Sequence, residues 1–260
     1  MPRIIVAVSL KMYFPAERTL AYARDVAKIG QRVTESGEKN VQLAVAPDFL
    51  TLERCASELE GSGVWLCAQD TASNDRGAFT GEVSAVDLKV LGCRCVEIGH
   101  AERRTQFCED EATIAAKTAA VLRNQMIPLI CVGEPSKVTA EAAANSCCEQ
   151  AIDALSGTLT KPEEVWIAYE PHWAIGATEA AGSDHVAAVC EILRERIGPR
   201  AEATHILYGG AAGPGTLTTL YPSIDGVFLG RYAHNPSALA TVTEEAIRIS
   251  THFVEHAHAR

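Results

Sequence analysis

Eight short apolar, β-branched runs recur along the 260 residues, and they constrain the fold more than any other feature. They cover residues 4–9, 41–46, 64–69, 93–99, 128–133, 165–170, 204–209 and 225–230. Most are continuous rather than alternating, the pattern of parallel strands covered on both faces. The segments between them mostly show helical periodicity. Residues 16–35 place Leu20, Ala23, Val26 and Ala27 on one face, and 184–196 carries Val186, Val189, Ile192 and Leu193. Residues 110–124 and 139–155 are Ala-rich helices, 237–256 closes the series, and 215–221 supplies a turn or two. Eight strand–helix units in about 250 residues predict an α/β fold, a (β/α)8 TIM barrel, as a single domain over 1–260. An open doubly wound sheet is the rival. No Gly-x-Gly-x-x-Gly follows the first strand, and no Pro/Gly/Ser-rich linker divides the chain.

Lys+Arg total 23 against Asp+Glu 33, a net charge of −10. That balance argues against a nucleic-acid partner, which needs a basic face, but leaves room for a local anion pocket. No run of about 18 apolar residues predicts a membrane span. The first apolar stretch reads as a strand rather than a secretory leader, and the expected location is cytoplasmic. The nine cysteines include no Cys-x-x-Cys pair, so neither a zinc ribbon nor a thioredoxin-type site is expected. Most are expected to be reduced, half-buried small hydrophobes. His252, His256 and His258 contain one i,i+4 spacing compatible with a metal, but a solvated terminal helix is the simpler reading.

Barrel chemistry sits at the C-terminal ends of the strands. Those ends carry Ser9-Leu10-Lys11, Gly99-His100-Ala101-Glu102, Tyr169-Glu170-Pro171, Tyr208-Gly209-Gly210 and Leu229-Gly230-Arg231. Each alone has a bland reading as a solvated lysine, a structural histidine, a strand terminator or a turn. Their joint placement at one mouth does not. A carboxylate can take a proton from carbon beside a carbonyl, a neutral imidazole can donate to the developing oxyanion, and a lysine can hold negative charge. The glycine turns after strands seven and eight can offer N–H groups to phosphate. No metal or organic cofactor is required for such a proton shuttle.

On these residues the chain resembles the triosephosphate isomerase family over essentially its whole length. The matching motifs are Ala168-Tyr169-Glu170-Pro171-His172-Trp173-Ala174-Ile175-Gly176, Gly99-His100-Ala101-Glu102-Arg103-Arg104, Gly77-Ala78-Phe79-Thr80-Gly81-Glu82, Cys131-Val132-Gly133-Glu134 and Tyr208-Gly209-Gly210. The resemblance implies Glu170 as base, His100 as electrophile and Lys11 as partner of phosphate and oxyanion, following the family's known pattern of a Glu base beside a neutral His. It implies Glu102 as a supporting residue, Arg103 with Glu109 as a structural ion pair, and 171–179 as a lid. It also implies a homodimer through loop 74–81, with Thr80 near the neighbouring subunit's site. Ser9, Gly176, Gly209, Gly210, Ala211, Gly230 and Arg231 are the implied substrate contacts.

Several of these positions depart from the family pattern. Ser9 stands for the usual Asn, Ala211 for Ser, Ala101 for Ser, His172 for Val, and Gly230-Arg231 for Gly-Gly. The usual lysine is missing from Ala177-Thr178-Glu179. A shorter residue near the reacting carbons and an added guanidinium fork suggest a slightly longer phosphorylated sugar. Ser9 and Gly230-Arg231 are similar to a branch that isomerises tetrulose phosphates such as erythrulose phosphate. Triose phosphate isomerisation, a phosphate-eliminating reaction and a non-catalytic phosphosugar-binding scaffold remain as alternatives.

Overall fold

In the computed structural model of the chain, residues 3–156, 158, 163–175, 181–197 and 202–258 are described, with side chains to 252. The strands are β1 (Ile4–Ser9), β2 (Val41–Ala46), β3 (Trp65–Ala68), β4 (Cys95–Ile98), β5 (Ile127–Val132), β6 (Val165–Tyr169), β7 (Thr204–Tyr208) and β8 (Gly226–Leu229). All pair in parallel with their sequence neighbours, and β8 returns to β1 to close the barrel. Every residue of β1, β4, β6 and β8 is buried, as the continuous apolar runs predict.

The helices are α1 (Ala16–Glu35), α2 (Leu52–Leu59), α3 (Ala85–Val90), α4 (Ala101–Gln106), α5 (Glu111–Arg123), α6 (Ala140–Ala154), α7 (Ser183–Arg196), α8 (Thr216–Leu220) and α9 (Pro236–His258). Side-chain caps set the starts of α5 and α6. Asp110 accepts from Thr113 N at 2.8 Å to start α5, and Thr139 accepts from Ala142 N at 3.3 Å to start α6. The buried face of α1 includes Leu20, Ala23, Val26 and Ala27. Two apolar shells follow from strand alternation. Ile5, Ala7, Leu129, Trp166, Leu207 and Phe228 belong to the barrel interior, while Val6, Val8, Val96, Ile98 and Ile167 pack outward with the helices.

The cysteine expectation needs correction. Seven are free, but six of those are fully buried and only Cys108 is exposed. Cys67 and Cys95 are joined in a disulfide. They are register partners on β3 and β4 with Cα atoms 4.8 Å apart, and both belong to the interior cluster. Strand register created this pair, and no sequence spacing announces it. Among the described residues no helix is long and apolar enough to cross a membrane, and no group of three metal-ligating side chains occurs. The side chains of His256 and His258 lie outside the described residues.

Candidate active site

The strand ends converge on a cavity of about 290 Å³. Ser9, Lys11, His100, Glu102 and Glu170 line it together with Gly209, Gly210, Ala211, Gly230 and Arg231. Ten of the residues expected at the site therefore share one cavity. Gly176 and the far lid hinge Ala177-Thr178-Glu179 lie outside the described residues.

Glu170 follows β6 and is only 4% exposed. Its Oε2 has no hydrogen-bond partner among the described residues and lies 3.4 Å from His100 Nε2. Burial, then the nearby Glu97 charge, pushes its carboxyl up to about 8. Two glycines make room for it. A Cβ on Gly209 would lie 2.6 Å from Glu170 Cγ, and one on Gly133 would collide with the Glu170 carbonyl oxygen. The Gly209 N–H is committed to Tyr169 O at 2.8 Å. Gly209 thus serves the cavity by lacking a side chain, and phosphate-binding N–H groups must come from the residues around it.

His100 caps α4, and its Nδ1 accepts from Glu102 N at 3.1 Å. That bond leaves the ring proton on Nε2, the atom facing Glu170 and the cavity. Burial, helped by the Lys11 charge, lowers its pKa to about 4, so the ring is neutral at physiological pH. Lys11 has φ 49°, a left-handed conformation that a non-glycine residue adopts only when its surroundings hold it. Gln69 Nε2 supplies such a hold, donating to Lys11 O at 3.1 Å and to Ala46 O at 2.9 Å. The ammonium meets Glu102 Oε1 at 2.7 Å. Burial opposes its charge, but the Glu102 hydrogen bond and the charges of Glu102, Glu170 and Glu97 outweigh it and hold Lys11 above the ordinary lysine range.

Arg103 and Glu109 pair at 2.6 Å, away from the cavity lining. They belong to a larger buried network in which Lys117 bonds Asp70 at 2.8 Å and Glu109 at 2.5 Å, while Arg103 also meets Asp70 at 2.8 Å. After β6, Trp173 Nε1 donates to Glu134 Oε1 at 2.7 Å, and Tyr169 OH donates to the same oxygen at 3.2 Å. Thr80 is exposed on loop 74–81 and does not line this chain's cavity. Arg231 lines the cavity from an exposed position at the start of a 3-10 turn.

The sequence assigns no role to Asp70, Lys117, Gln69, Glu134 or Glu97, although Glu134 closes the motif Cys131-Val132-Gly133-Glu134. Glu97 carried a readable signal, a carboxylate inside the apolar run 93–99. The others gain meaning only from partners distant in the chain.

A parallel barrel with a buried carboxylate, a neutral imidazole and an ammonium around one small polar cavity defines an enzyme that relocates a proton beside a carbonyl. The sequence model of triosephosphate isomerase matches residues 4–246, and the chain belongs to that family, as a phosphosugar isomerase. It is 40% identical over 255 residues to the L-erythrulose-1-phosphate isomerase of Pectobacterium atrosepticum, covering 96% of this chain and 98% of that one. It is 36% identical to the triosephosphate isomerase of Moorella thermoacetica, over 88% and 93% of the two chains. The L-erythrulose-1-phosphate isomerase of Rhizobium etli is 35% identical, over 88% and 86%.

Proposed function

We propose that the chain interconverts two tetrulose phosphates, moving the ketone between C2 and C3 of a tetrulose 1-phosphate. The observation that carries this reading is Ser9, a short side chain lining the cavity that also holds Lys11, His100 and Glu170. In a triose phosphate the carbon that loses the proton carries no further carbon. In a tetrulose 1-phosphate it carries a hydroxymethyl group, which needs space where a longer side chain would stand. The likeness to the Pectobacterium enzyme supports the same substrate class.

In this mechanism the Glu170 carboxylate takes the proton from C3, and the C3–H electrons form the C2=C3 double bond of an enediolate. His100 Nε2–H donates to the oxygen on C2, and Lys11 balances its developing negative charge. The imidazole then recovers a proton from the oxygen on C3, which becomes the new carbonyl. Glu170 returns its proton to C2. No atoms are gained or lost, and no cofactor enters the balance. Gly210, Ala211, Gly230 and Arg231 hold the phosphate at the cavity rim. Gly176 belongs with them by resemblance. By resemblance 171–179 is the lid, and Trp173, bonded to Glu134, anchors its described near end.

The reading includes a homodimer through loop 74–81, supported by the exposure of Phe79 and Thr80 and by Met12 and Leu50, each 94% exposed. It also includes a cytoplasmic location, supported by seven free thiols. Side-by-side kinetics on L-erythrulose 1-phosphate and dihydroxyacetone phosphate test the substrate. A higher kcat/KM on the tetrulose is expected, and a much higher value on the triose would overturn the reading.

A further inference from the structure

Glu97 is the one carboxylate within the eight described strands. On β4, Val96 and Ile98 pack outward and Cys95 inward, so alternation turns Glu97 into the barrel. It is 5% exposed and borders a small internal cavity lined by Ala7, Ala44, Cys67, Leu129 and Phe228. An apolar side chain would fill that layer without the cost of burying a carboxyl. Burial pushes Glu97 up to about 8, despite the Ser9 hydrogen bond and the Lys11 charge. The same carboxyl also disfavours ionisation of Glu170. Packing therefore gives no reason for its presence.

Its partner gives one. Ser9 Oγ donates to Glu97 Oε2 at 3.0 Å. Ser9 lines the active cavity, whereas Glu97 lies beneath it. A serine hydroxyl has one hydrogen and two lone pairs. Ionised Glu97 can only accept, so in that form the hydrogen is committed to it, only lone pairs remain for the cavity, and Ser9 selects a hydrogen-bond donor there. The terminal hydroxymethyl of a tetrulose phosphate has an O–H to donate, while a triose phosphate has no group at that place. We infer that Glu97 is a positioning residue for substrate selection, orienting the Ser9 hydroxyl to accept a hydrogen bond from the fourth carbon's hydroxyl. This inference rests on the tetrulose-phosphate reading above.

The test compares L-erythrulose 1-phosphate, its 4-deoxy analogue and dihydroxyacetone phosphate in the wild type and in Glu97→Leu, Glu97→Gln and Ser9→Ala. In the wild type, kcat/KM for the hydroxylated substrate should exceed that for the deoxy analogue by about tenfold or more. In Glu97→Leu and Ser9→Ala the ratio should fall to within about threefold of unity, mainly through KM. Assayed at about pH 9, above the range in which both buried carboxyls titrate, Glu97→Leu should leave the rate on dihydroxyacetone phosphate within about threefold of wild type. Glu97→Gln keeps an acceptor oxygen and should retain the ratio. Glu97→Met replaces Glu97→Leu if the branched side chain prevents folding. An unchanged hydroxyl-to-deoxy ratio in the folded apolar variant overturns the role of Glu97 alone. An equal loss on all three substrates also overturns it, since that is a structural effect. A wild-type enzyme that turns over the triose but not the tetrulose overturns the substrate reading, and this role with it.

Discussion

Gly209 sits against the base, and a single methyl group there probes the site's geometry. A Cβ at this position would lie 2.6 Å from Glu170 Cγ and 2.7 Å from Oε1. Non-bonded carbons rest at about 3.5–4.0 Å, so in Gly209→Ala the carboxylate must retreat by about 1 Å. Gly209 does not occupy the left-handed region, so alanine fits the backbone and the conflict falls on the Glu170 side chain. A misplacement of about 1 Å costs about 100-fold in rate, or about 2.7 kcal/mol of activation free energy. The assay is steady-state kinetics on the sugar phosphate, with thermal melting to verify the fold and competitive inhibition by inorganic phosphate to report the anion pocket. The expected result is a kcat near 1% of wild type, with phosphate inhibition and melting temperature little changed. A folded Gly209→Ala enzyme with wild-type kcat would refute the assignment of Glu170 as the proton-transferring group.

Three further perturbations separate chemistry, lid and framework. Because Glu170 is pushed up to about 8 and must be ionised to act, log kcat/KM should rise with pH toward that value and level off above it. His100, lowered to about 4, should add no inflection between pH 6.5 and 9, and a flat profile across that window would contradict the carboxylate's environment. Trp173→Phe removes the Nε1–H donor to Glu134 and should lower kcat by about tenfold while raising the yield of inorganic phosphate and a dicarbonyl from the escaping enediolate. Product analysis showing no added phosphate would count against a lid role. Lys117→Met strands the buried carboxylates of Asp70 and Glu109 and should destabilise the fold by about 3–5 kcal/mol in urea melts, with a loss below about 1 kcal/mol as the contrary result.

The sequence by itself determined the barrel and picked out the three side chains proposed for catalysis. Continuous apolar runs and helical periodicity are local properties, so all eight strands and the bounds of α1 could be read directly. The chemistry of a parallel barrel lies at one predictable end, which singled out Lys11, His100 and Glu170 before any coordinates. Two helices escaped notice because α2 and α3 span 8 and 6 residues, too short for a 3.6-residue period to declare itself. Barrel closure decided the rest, since it brings residues together that no local pattern relates. It set Cys67 beside Cys95, Lys117 against Asp70 across 47 positions, and Glu97 beneath Ser9 across 88. Gly209 looked like one more N–H donor to phosphate, and only the packed site shows that its missing side chain leaves room for Glu170. Residue types and their periods act along the chain, whereas register, burial and the shifted proton affinities depend on neighbours across space.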